Sequence, residues 1–259
     1  MNFHVKLATG YAAGVKPSVK LADGWHEGRE LFVKTADGWR TVWRRTVTFI
    51  NTVERSGVSI FQLMGSPTKA ANYVFINRAA IYGGSSGFAL RTGVFPAGST
   101  LKIINESAIR GRGGDGGGNG GSSNGSPGGS ALWLDFSTLI DNAAGYIFGG
   151  GGGASLSYAS NRIAGGGGGA GRPAGNAGGS FQADGGQYVA PGAATETAGG
   201  AGAYFVGSGP WGVAGGAPGS PGASSSYAGG AAGNAVTKQG QVLTWLSGNT
   251  TDRVKGPIV

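Results

Sequence analysis

Between residues 46 and 109, apolar and polar side chains alternate in short runs: TVTFINTV, VSIFQLM, NYVFIN and STLKIIN, each broken by Gly, Ser or Asn. A period of two puts every second side chain on one face of a strand. The enrichment in Val, Ile, Thr and Phe points the same way. The runs also repeat. YVFINRAAIYGG at 73–84 aligns with LKIINESAIRGR at 101–112, which sets Asn77 over Asn105, Ala80 over Ala108 and Ile81 over Ile109, all 28 residues apart. LIDNAAGYIFGGGG at 139–152 is a third copy, with one extra residue before Ile147. The shared form is apolar strand, Asn turn, apolar strand, glycine run. Asn tolerates the left-handed conformation and suits turns, so the pattern predicts a β scaffold rather than a site.

A tighter repeat precedes it. VKLATGY at 5–11, VKLADGW at 19–25 and VKTADGW at 33–39 align without gaps at a period of 14. Asp-Gly between a β-prone run and an aromatic is a hairpin signal, because the favoured two-residue turns need φ > 0. Each copy therefore predicts strand, tight turn, strand. A lone hairpin is marginal in water, so the copies are expected to pack on one another. Two readings of the threefold repetition stay open. The aromatics can form the core of a small antiparallel sheet. Alternatively, three repeats in one chain can imitate a three-fold axis and dock on a homotrimer, one per subunit, with Trp and Tyr as anchors. Tyr11, Trp25, Trp39 and Trp43 are the candidate attachment residues.

From residue 111 the alternation stops and glycine takes over: 43 of the chain's 57 glycines lie in 111–240. Disorder is the compositional expectation for such tracts. Collagen is excluded, since no strict three-residue glycine period exists. A GxGxxG match is trivial in a glycine run, and no GKS or GKT follows. IRGRGG at 109–114 is a single arginine-glycine cluster. The remaining reading is a packed glycine structure. Glycine can form an extended helix of three residues per turn with no internal hydrogen bonds, leaving N–H and C=O free for neighbouring tracts. One tract could not offset glycine's entropic cost of roughly 0.5–1 kcal/mol per position, but many bonded together could.

The interruptions favour packing. GRGGDGGGNGG (111–121), GGGGGA (149–154), GGGGGAG (165–171), GGAG (199–202) and GGAAG (229–233) alternate with segments that hold Tyr158, Phe181, Tyr188, Tyr204, Phe205, Trp211 and Tyr227. Flexible linkers avoid aromatics. Aromatics in loops on a rigid support describe a binding surface, with Ser, Gly and Asn adding adaptable hydrogen bonds. The competing role for each ring is to plug the end of the glycine bundle. The candidate contact residues are Tyr158, Asn161, Arg162, Phe181, Gln182, Tyr188, Tyr204, Phe205, Trp211 and Tyr227.

Charge narrows the partners. The net charge is +8, yet residues 1–110 hold 14 Lys+Arg against 6 Asp+Glu, while 111–236 hold 3 against 5. The glycine-rich part is a poor footprint for nucleic acid, which needs concentrated positive charge. No window approaches the roughly 18 apolar residues of a membrane span, so no membrane insertion is expected. The N-terminus lacks a signal peptide's apolar core, so synthesis in the cytoplasm without a signal peptide is expected. With no cysteine, disulfides play no part. His4 and His26 lie away from any carboxylate cluster. Asp115, Asp135, Asp141, Asp184 and Glu196 show no paired spacing for acid–base or metal chemistry. Asp115 and Asn119 are expected to bond nearby backbone. Neither an enzymatic activity nor a cofactor is expected.

IINESAIRGRGGDGGGNGG (103–121), IFGGGGGA (147–154), GGGGGAG (165–171) and the aromatic segments between glycine motifs resemble the glycine-rich tail-fibre tip adhesins of T-even-like bacteriophages. The resemblance covers about the C-terminal two-thirds. It implies a mostly irregular or β fold in three parts: an attachment domain at 1–45, a short β connector at 46–110, and a body at 111–259. That body would be a bundle of packed polyglycine II helices with variable tip loops and a C-terminal return segment. It implies a virion protein at the tip of the long tail fibre, which caps the trimeric distal fibre protein. It also implies binding to a bacterial outer-membrane protein, or to lipopolysaccharide or another surface saccharide. The alternative is an assembly chaperone that promotes fibre trimerisation and then leaves.

Overall fold

The structure, a computed structural model, describes residues 18–259 apart from 22–23, 28–29, 36–37, 86, 119–122, 160–161, 183–186, 207–208 and 211. The described chain is almost all strand and irregular backbone, with one single-turn helix, and divides into two units, Met1–Val47 and Thr48–Val259. In the first unit, β1 (Ser18–Leu21) pairs antiparallel with β2 (Gly24–Glu27), and β3 (Glu30–Thr35) with β4 (Gly38–Arg44). Leu21 faces Gly24 and Thr35 faces Gly38, so the second and third sequence copies each form a hairpin. The first copy, with Tyr11, lies outside the described residues.

The second unit is a parallel β solenoid with three faces. Each coil gives one strand to each sheet. The first coil holds β5 (Thr46–Asn51), β6 (Arg55–Ser56) and β7 (Val58–Ser59), followed by the turn α1 (Ile60–Leu63). The second holds β8 (Asn72–Asn77), β9 (Ile81–Tyr82) and β10 (Phe88–Arg91). The third holds β11 (Thr100–Asn105), β12 (Ala108–Arg110) and β13 (Ser130–Trp133). The fourth opens with β14 (Thr138–Asp141) and β15 (Tyr146–Phe148).

Six short strands intervene, described below: β16 (Ser157–Ala159), β17 (Arg162–Ala164), β18 (Phe181–Gln182), β19 (Tyr188–Val189), β20 (Tyr204–Phe205) and β21 (Gly209–Pro210). Then β22 (Val236–Thr237) completes the fourth coil, and β23 (Leu243–Ser247) and β24 (Val254–Lys255) make the last. The sheet orders are β23-β14-β11-β8-β5, β24-β15-β12-β9-β6 and β22-β13-β10-β7. Strands on both sides of residue 110 thus share the same sheets, and residues 236–255 close the solenoid that 46–110 begin.

The alternation in the sequence is the alternation of inside and outside. In β8 and β11, Tyr73, Phe75, Leu101 and Ile103 are buried, while Val74, Ile76, Lys102 and Ile104 are not. Register places Phe75 beside Ile103 and Asn77 beside Asn105, so residues 28 apart stack coil on coil. Ile81, Ile109 and Ile147 form a buried column on the second face. Leu90, Leu132 and Val236 form another on the third. Burying each such side chain contributes about 1.5–3 kcal/mol.

One corner is polar. Asn51 donates to Asn77 (2.9 Å), Asn77 to Asn105 (2.9 Å), Asn105 to Asn142 (2.7 Å) and Asn142 to the Gly248 carbonyl (3.0 Å). All four Asn side chains are buried, which only a continuous ladder makes tolerable. The extra residue of the third copy fits at this corner. A Cβ at Gly145 would lie 2.3 Å from the Asn105 amide nitrogen.

Glycine tracts leave this solenoid twice, from β12 at Gly111 to return at β13, and from β15 at Gly149 to return at β22. Residues 149–157 are buried and bond only sideways. The N–H groups of Gly150, Gly153 and Leu156 donate to Gly129, Ser126 and Ser123. Those of Gly151 and Ala154 donate to Ala170 and Gly167, and those of Gly152 and Ser155 to Ser220 and Ala223. Each neighbouring tract is met at every third residue. The tract from 111 repeats this, with Gly111, Gly114 and Gly117 donating to Phe148, Gly151 and Ala154, and Gly113 and Gly116 to Pro173 and Asn176.

Candidate functional site

The second excursion runs outward and back four times, and its turns segregate. The inner turns lie against the solenoid: the Arg172 carbonyl accepts from the Gly83 N–H (2.9 Å), Glu196 pairs with Arg110 (2.7 Å), and Gly219 donates to Gly149 (2.8 Å). At the other end, Leu156 bonds Ser123, Gly166 bonds Gly117, Ala203 bonds Gly165 and Ser155 bonds Ala223. The outer turns therefore gather at the end away from the solenoid, although they are far apart in sequence.

Two small antiparallel sheets finish that end, ordered β16-β17-β18 and β19-β20-β21. Tyr158 pairs with Ile163, Arg162 with Gln182 and Ile163 with Phe181 in the first; Tyr188 with Phe205 and Val189 with Tyr204 in the second. Ala164, Ala203 and Phe205 form a buried cluster that joins the two sheets. Four of the expected contact residues are exposed: Tyr158 (54 %), Tyr188 (42 %), Tyr204 (44 %) and Tyr227 (41 %).

Phe205 corrects the expectation. It is buried, with its ring 6.2 Å from that of Tyr188, and so plugs the end instead of facing out. Alternation along β20 explains it, since Tyr204 and Phe205 must point to opposite sides. Arg162, Phe181 and Gln182 sit on strands of the outer end by backbone pairing. Asn161 and Trp211 lie outside the described residues. Trp25 is on β2, and Trp39 and Trp43 are on β4. Sequence reasoning passed over Val189 and Val206, both exposed beside the named aromatics. The β-branched residue following each aromatic in QYVA and YFVG was the available signal.

The serine run before Tyr227 also gains a role. The Ser224 hydroxyl accepts from the Gly229 N–H (2.9 Å), and the Ser155 hydroxyl accepts from the Ser225 N–H (2.8 Å). The Ser226 hydroxyl accepts from the Tyr158 N–H (3.0 Å) and donates to the Tyr158 carbonyl (3.3 Å). On the other side, the Ala228 N–H donates to the Asn124 side chain (3.1 Å).

The inner end holds the charge. Glu54 grips Arg172 through both terminal nitrogens (2.9 and 3.1 Å), Glu196 approaches its Nε at 3.3 Å, and the guanidinium lies 4.6 Å from the Tyr82 ring centre. The Glu54 hydrogen bonds, followed by the charges of Glu196 and Glu54, raise the Arg172 pKa. Asp115 departs from local bonding. It accepts from Arg112 (2.9 Å) but also from the Asn176 backbone (2.8 Å) and side chain (3.0 Å), tying one tract to the next. An open cleft of about 650 Å³ lies here, lined by Tyr82, Arg112, Arg172 and Asn176 among others. Its two arginines are matched by carboxylates, and among the described residues no group of His, Asp or Glu could hold a metal. What the outer end presents is exposed phenol rings and hydroxyls on a hydrogen-bonded backbone support.

Residues 45–259 match the model of the phage tail fibre adhesin family Gp38. The fold is similar to a solved structure described as the gp37-gp38 adhesin tip complex of the bacteriophage S16 long tail fibre, with a TM-score of 0.59 and 22 % identity over 83 % of each chain. No curated protein sequence matches.

Proposed function

The chain belongs to the Gp38 family of phage tail fibre adhesins, and from that premise we propose that it caps the trimeric distal fibre protein and binds a host outer-membrane protein or surface saccharide. The observation that carries the reading is the gathering of Tyr158, Tyr188, Tyr204 and Tyr227, exposed, at the end of the glycine tracts away from the solenoid. Tyrosine gives large contact area at low entropic cost, and a monomeric protein has little reason to spend four on one exposed end.

Each glycine tract is read as one polyglycine II helix. What supports this is the return of every third N–H to the same neighbour, as three residues per turn requires. The lattice makes the support rigid, which lets loops vary without moving one another's anchors. The attachment role goes to the hairpin unit, with Tyr11, Trp25, Trp39 and Trp43 as the residues that meet the fibre. It is motivated by the repetition of the copies and by the gp37 partner named for the S16 complex.

The fibre-assembly chaperone is the rival reading, and the virion distinguishes them. An adhesin is a component of mature particles, near one copy per fibre tip. Absence of the chain from purified, adsorption-competent particles would overturn the adhesin reading in favour of the chaperone.

A further inference from the structure

Tyr158 is the middle residue of β16, the edge strand of its sheet. β17 pairs with one side of that strand, and the Tyr158 N–H and carbonyl, both bonded to Ser226, are turned to the other. An open strand edge requires partners for such groups. Ser226 supplies both, accepting from the N–H and donating to the carbonyl through one hydroxyl. Three residues earlier in β16's own lead-in, the buried Ser155 hydroxyl takes the N–H of Ser225. The loop 224–228 is thus stitched to the 155–158 segment at two successive residues, and Tyr227 follows directly.

We propose that Ser226 is a positioning residue that joins Tyr227 and Tyr158 into one composite contact surface, so that the two rings recognise the host as a unit. The proposal rests on the adhesin reading above. It makes the outer turn at 224–228 dependent on the hairpin at 157–164, although Tyr158 and Ser226 are 68 residues apart in sequence. Side-chain bonding to the open edge selects one placement of the loop that glycine and serine backbone would otherwise leave among many.

The test is adsorption of phage particles carrying full-length variants. Tyr158→Ala or Tyr227→Ala in the otherwise unchanged chain slows adsorption about tenfold, as expected for an anchoring aromatic. Ser226→Ala slows it about fivefold without touching either ring, and in that background Tyr227→Ala adds less than about twofold. Ser226→Thr, which keeps the hydroxyl, restores adsorption. An equal Tyr227→Ala factor with and without the Ser226 hydroxyl overturns the positioning role and leaves the adhesin reading intact. Unchanged adsorption in both tyrosine variants overturns the outer end as the contact surface, and this proposal with it. A Ser226→Ala chain that fails to enter particles also overturns it, because the clamp is then a folding element.

Discussion

A methyl group added at Gly153 would meet the Asp115 carbonyl oxygen at 1.9 Å and its carbon at 2.4 Å, against backbone that two tracts hold in place. Gly179 is exposed and its nearest neighbour would be 3.2 Å away. Gly153→Ala is therefore expected to lower stability by about 3 kcal/mol or more, and Gly179→Ala by no more than about 1 kcal/mol. Chemical denaturation of the two variants separates these outcomes, and equal losses would contradict close packing of the tracts. A second residue-scale effect depends on pH. The Ser247 hydroxyl, followed by the Ala143 N–H and the charge of Lys102, holds the Asp141 carboxyl below its ordinary pKa. A depressed folded-state pKa contributes stability that is full above the unfolded carboxylate pKa and is lost as pH falls through the folded value. Ser247→Ala should move the Asp141 titration upward, read by carboxyl-carbon NMR, and lessen the loss of stability in acid.

At the scale of elements, the Asn ladder and the apolar columns define the solenoid. Replacing Asn105 by Leu leaves the Asn77 amide and the Asn142 carbonyl without partners in a buried corner, an expected loss of about 2–5 kcal/mol. A melting temperature within a degree of the unchanged chain would show that the ladder is dispensable. Much of this was legible in the sequence. The 28-residue spacing of Asn77 and Asn105 is the length of the second coil, and the two-residue alternation is the inward and outward set of β8 and β11. The last coil was not legible, because LTWLS pairs with β14 across the whole glycine body and no local periodicity carries a register over that distance. Neither was the burial of Phe205: a YF pair reads the same whichever ring faces the core. Asp115 misled for a similar reason, since its partner Asn176 is 61 residues away.

For the whole molecule, the proposed attachment and recognition roles fall in different units, Met1–Val47 and Thr48–Val259. The hairpin unit carries Trp25, Trp39 and Trp43, and the solenoid and its tracts carry the outer tyrosines. Replacing Trp25 and Trp39 together by Ala is expected to abolish co-purification with the fibre while the 48–259 unit keeps its melting transition; unchanged co-purification would remove the hairpins from the attachment role. On the proposed function, the outer turns choose the host. The direct measurement is host range after exchanging residues 155–162 and 203–212 for the corresponding segments of a relative that infects a different strain, with the hairpin unit untouched. Host range should follow the exchanged segments. If it instead follows the N-terminal unit, the outer end is not the receptor surface.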